Sequence, residues 1–135
     1  MTLKEQFRAI IMVIAAMMLY CTSATAATSG NCGNYLTWSY NSTDGVLTIR
    51  GTGKMRNYYY VDNPNTSAPW KNLNFNKVVI EQGVTSIGDA AFAGCSKLTS
   101  INMPNSVTSI GSSAFCDCSG LTSISIPDGV TSIGE

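Results

Sequence analysis

The sequence contains no histidine. That removes the commonest general base and metal ligand at neutral pH. The acidic residues are scattered singly, and Asp89 and Asp117 do not fall at equivalent places in the repeats described below, so no carboxylate pair has a spacing suited to acid/base work. No glycine-rich phosphate loop appears, and the "CDC" at 116–118 lacks the further ligands a zinc site needs. Catalysis has no visible carrier; neither an enzyme nor a cofactor or metal site is expected. Charge is scarce too: 12% of residues are charged and the formal net charge is zero, which gives no electrostatic footprint for a nucleic acid partner.

Long hydrophobic runs are missing except at the start. Lys4 and Arg8 precede an apolar run over 9–20, followed by "SATAAT", in which Ala24 and Ala26 form a small-x-small cleavage pattern. A run of 12 residues falls short of the ~20 that span a bilayer, so residues 1–26 read as a secretory signal peptide cleaved after Ala26. Tyr20 directly before Cys21 counts against a lipoprotein signal. The remaining chain carries six basic and seven acidic residues and four cysteines, Cys32, Cys95, Cys116 and Cys118. The expected location is secreted or cell-surface, with no membrane span after cleavage.

What is present is repetition. Residues 87–109 and 110–132 are identical at 14 of 23 positions, and Ile87, Ile110 and Ile133 open three copies, the third breaking off at Glu135. An earlier, divergent copy begins near Lys77: Val78, Ile80 and Val84 stand one full repeat length before Ile101, Met103 and Val107. In each full copy the fixed apolar positions cannot all be buried within a single coil, whereas stacked coils bury them on one another. The fold class is therefore a repeat solenoid. The alternation at 101–103 and 124–126 predicts one short parallel strand per copy, ended by Pro104 and Pro127. Segment 88–95 reads as a short helical turn. Cys95 and Cys118 are repeat-equivalent, which points to a buried, unbridged ladder rather than a disulfide.

The pattern IGxxAFxxCxxLTSIxxPxxVTS over 77–135 resembles the BspA-like leucine-rich repeat of bacterial surface proteins and some protist surface proteins. "CGNYLTWSYNSTDGVLTIRGTGKM" and "SAPW" are similar to the segment that commonly precedes such repeats. The resemblance implies protein binding or adhesion, to host extracellular proteins such as fibronectin or fibrinogen or to other cells.

Residues 27–76 read as a β-rich N-terminal cap. Leu36, Trp38 and Tyr40 alternate, "NSTDG" turns the chain, and Leu47 and Ile49 share a face, which predicts a hairpin followed by an irregular loop over 57–67. Trp70 is expected to plug the end of the stack, while Tyr58, Tyr59 and Tyr60 stay open between cap packing and an aromatic loop for carbohydrate or cell wall. Arg50, Lys54 and Arg56 could attract an anionic ligand or form a solvated edge. The candidate binding face is the outward side of the strands: Lys77, Val79, Ser100, Asn102, Ser123 and Ser125. A structural spacer is the further alternative. After Val130 only "TSIGE" follows, so Phe115, Cys118, Leu121, Ile124 and Ile126 are expected to form an open apolar end suited to end-to-end self-association or marking a truncated product.

Overall fold

A computed structural model describes residues 27–135; the leader expected at 1–26 lies outside them. Strands β1 (Ser29–Asn31), β2 (Leu36–Asn41) and β3 (Val46–Gly51) form an antiparallel meander. Period-two alternation explains it: Leu36, Trp38, Leu47 and Ile49 are buried, with Trp38 opposite Ile49 and Tyr40 opposite Leu47. The hairpin turn is tied by Asn41, whose Oδ1 accepts from Thr43 N–H at 2.9 Å and whose Nδ2 donates to Asp44 at 2.9 Å, the local bonding that suits Asn to turns.

The cap and the repeats share one sheet. β5 (Lys77–Ile80) lies parallel to β3, with Leu47 opposite Val78 and Ile49 opposite Ile80. β7 (Ser100–Asn102) continues it, Val78 facing Ile101, in the order β1-β2-β3-β5-β7. The hairpin thus acts as the first rung of the solenoid.

Each coil also contributes to a second sheet, where the sequence reading placed only one strand per copy. β4 (Gly53–Lys54), β6 (Val84–Ile87), β8 (Ser109–Ile110) and β9 (Ser132–Ile133) run parallel in that order. Ser86, Ser109 and Ser132 are in register, as are Ile87, Ile110 and Ile133. The repeated "VTS" has a physical reason here. Thr108 Oγ1 donates to Thr85 O at 3.2 Å and Thr131 Oγ1 to Thr108 O at 3.3 Å, beside backbone bonds between the same residues.

Segment 88–95 is not a helical turn, and no helix occurs among the described residues. Its amides alternate. Ala90, Phe92 and Gly94 donate to Ser112, Ala114 and Cys116 of the next coil, whereas Ala91, Ala93 and Cys95 donate to the carbonyl three residues back. Half of the donors a helix would use internally are spent between coils, with Ala90 and Ser113, repeat equivalents, held at φ 49° and 53°. The strand expected at 124–126 is likewise not formed. Among the described residues nothing lies on the outer side of that coil, and Ile124 and Ile126 are exposed.

An aromatic spine runs through the core. Trp38 meets Trp70 edge-on at 5.8 Å, Trp70 stacks on Phe92 at 5.6 Å, and Phe92 stacks on Phe115 at 5.5 Å. Trp70 is fully buried and its Nε1 donates to Ala91 O at 2.8 Å, so the ring joins the cap to the first full repeat.

Candidate functional site

The alternation that buries one face of the five-stranded sheet exposes the other. Across it, Ser39, Thr48, Val79 and Asn102 stand in one register row, and Asn41, Val46, Lys77 and Ser100 in the next. None of these eight residues is buried. At the margin Arg50 pairs with Glu81 at 3.5 Å; both ends are well exposed, so the pair adds little stability.

Four of the expected face residues, Lys77, Val79, Ser100 and Asn102, come together on this surface. Ser123 and Ser125 do not extend it as a ladder, because their segment forms no strand. In exchange the face reaches backward into the cap, through Ser39, Asn41, Val46 and Thr48, which the sequence reading missed. The signal was present in the hairpin's alternation; what no motif carried was that β3 would pair with β5.

The three tyrosines separate. Tyr58 is not on the exposed loop: it is 6% exposed and packs edge-on against Trp70 at 5.4 Å. Burial, with the neighbouring Cys32, pushes its phenol well above the usual range. Tyr59 is exposed. Tyr60 forms a clasp: its hydroxyl donates to Asp117 at 2.8 Å, which raises its pKa, and Lys71 Nζ sits 5.8 Å from its ring centroid while pairing with Asp62 at 2.7 Å. That pairing lowers the Asp62 pKa.

Cys95 and Cys118 are buried in consecutive coils as free thiols, and Cys118 Sγ donates to Phe92 O at 3.0 Å. Cys116 is exposed. Among the described residues no group of three His, Cys, Asp or Glu side chains is placed to hold a metal ion, and no helix is long and apolar enough to cross a membrane. The outermost coil leaves a groove of about 370 Å³ lined by Ile110, Phe115, Leu121, Ile124, Ile126 and Ile133.

Residues 67–135 match the BspA type leucine rich repeat region (6 copies). The chain belongs to the BspA type leucine-rich repeat family. Among solved structures, a leucine-rich repeat protein from Eubacterium ventriosum ATCC 27560 is 33% identical with a TM-score of 0.67, over 78% of this chain and 27% of its own. A leucine rich repeat protein from T. pallidum is 20% identical with a TM-score of 0.47, over 78% of this chain and 53% of its own. A leucine rich cell surface protein from Faecalibacterium prausnitzii A2-165 is 26% identical with a TM-score of 0.44, over 82% and 34%. The chain spans about a quarter of the length of the E. ventriosum protein. No curated protein matches. In this BspA type stack the match begins upstream of Lys77 and takes in Trp70, the residue that locks the cap to the repeats.

Proposed function

We propose that this BspA type protein is a secreted or surface-displayed interaction protein, and that the outward face of its five-stranded sheet binds an extended segment of another protein. The supporting observation is the pair of register rows from β2 to β7, seven small or medium side chains that present hydroxyl, amide and methyl groups, with the exposed ammonium of Lys77 among them. Each row runs across four strands, β2, β3, β5 and β7, which suits an elongated partner held by many weak contacts. The leader read at 1–26 supports export. In this reading the protein acts by binding and turns over no substrate.

Solid-phase binding to fibronectin, fibrinogen and intact cells tests it. Saturable binding to at least one is expected, and Thr48→Glu with Val79→Glu, which puts carboxylates in the middle of the face, should weaken it at least about tenfold. Absence of saturable binding, binding indifferent to these substitutions, or robust turnover by the chain in an enzyme screen overturns the reading.

A further inference from the structure

A second surface lies on the cap, at residues the outward sheet face does not use. Arg56 lines two hollows. One, of about 320 Å³, is bounded by the β1–β2 loop with Asn34 and Tyr35 and by Lys54. The other, of about 260 Å³, lies between Asn31 and the 57–67 loop, with Asn57, Tyr59 and Asn65 on its walls.

Four observations converge there. Arg50 and Lys71 have carboxylate partners, but among the described residues no carboxylate lies within ion-pair distance of Lys54 or Arg56. Tyr35 and Tyr59, one at each hollow, are 79% and 66% exposed. The side-chain hydroxyls of Tyr58 and Thr66 are buried without a hydrogen-bond partner, and both residues line the second hollow. Finally, the frame is fixed: Arg56 N–H donates to Cys32 O at 2.7 Å, Tyr59 N–H to Thr66 O at 2.9 Å, and Asn57 Oδ1 accepts from Asp89 N–H at 3.0 Å, which leaves the Asn57 amide as a donor.

We propose that this double hollow is a binding site for an acidic polysaccharide, with Arg56 and Lys54 taking its anionic groups and Tyr35 and Tyr59 packing against successive sugar rings. The guanidinium matches a carboxylate or sulfate through paired hydrogen bonds. The tyrosine faces, which carry the negative side of the ring quadrupole, suit the C–H face of a sugar. Asn31, Asn34, Asn57 and Asn65 supply the neutral donors and acceptors that ring hydroxyls need. The smaller hollow falls below the ~300–1,000 Å³ of sites for drug-sized ligands, a size for about one ring. An acidic peptide would satisfy the cations but offers no ring faces to the two tyrosines. The site is independent of the sheet face.

Calorimetric titration of the full chain with polygalacturonate (carboxylated) and heparin (sulfated), against dextran and polyglutamate, tests the proposal. Saturable binding to at least one acidic polysaccharide is expected, weakening as salt rises; which one binds identifies the anionic group. Arg56→Gln should weaken it about tenfold and Tyr35→Ala or Tyr59→Ala about three- to tenfold. Lys97→Gln, which removes the same charge elsewhere, should leave it unchanged. Arg56→Lys, which keeps the charge and the side-chain stem, should give an intermediate loss and serves if Arg56→Gln misfolds. The proposal falls if neither acidic polysaccharide binds, if polyglutamate binds as tightly, or if Arg56 variants weaken binding no more than Lys97→Gln.

Discussion

Phe115 lies flat on Phe92, ring centroids 5.5 Å apart and planes 9° apart, at equivalent positions of successive repeats. Phe92 has Trp70 on its other side and is fully buried, whereas Phe115 is half-buried. Removing the inner ring opens a cavity with walls on both sides. Phe92→Ala should therefore lower unfolding free energy by about 3–5 kcal/mol, and Phe115→Ala by clearly less, in urea titrations of each variant. Equal losses would mean that the stack is not what holds the coils together.

Gly88 opens the second repeat sheet's exit turn where a side chain has no room: an added Cβ would meet the backbone carbonyl oxygen of Arg56. Backbone cannot swing aside as a side-chain tip can. Gly88→Ala should destabilise the protein by about 1–3 kcal/mol and shift the urea midpoint down. A midpoint unchanged by the substitution would show that the cap does not bear on this coil.

Thiol chemistry should divide along burial. Desolvation pushes Cys95 up to about 12 and Cys32 to about 11, from 9.0. Both are fully protonated, and their contribution to stability fully present, below pH 9. As pH rises above 9 the unfolded chain loses protons that the folded chain keeps, so stability falls between about pH 9 and 12. Melting temperatures across this window should drop, and Cys95→Ala should flatten the drop. A wild-type curve that is level through the window would contradict the burial of these thiols.

Alkylation gives a separate check. The thiolate is the reactive form, and Cys116 is exposed while Cys32, Cys95 and Cys118 are buried. Brief iodoacetamide treatment of native protein should add one label among the described residues, at Cys116, by peptide mass; rapid labelling of Cys95 would contradict the ladder.

The repeat was legible in the sequence because stacking demands identical side chains at fixed intervals, and Ile101, Phe92 and Cys95 carry that demand openly. The second strand column was not. Val84 to Ile87 and Ser109 to Ile110 are too short for a period to show, and what makes them strands is bonding to the previous coil. The Ala91–Phe92 pair suggested a helix because adjacent apolar residues fit a helical stripe; inter-coil bonds from Ala90, Phe92 and Gly94 compete with i→i−4 bonding and win. Of the candidate face, the repeat half was readable from alternation. The cap half depended on the β3–β5 pairing, a contact between strands that the whole of segment 52–76 separates, and no local pattern encodes it.

That same pairing gives assembly a direction. The meander closes on contacts between near neighbours in sequence, the kind that form fastest. Once formed, β3 offers a bare parallel edge on which β5 can settle, and β5 in turn offers one to β7, each step needing only about one further repeat length of chain. A chain leaving the ribosome or a translocon from its N-terminus can therefore fold as it emerges, each new coil meeting a finished template instead of waiting for the rest of the polypeptide.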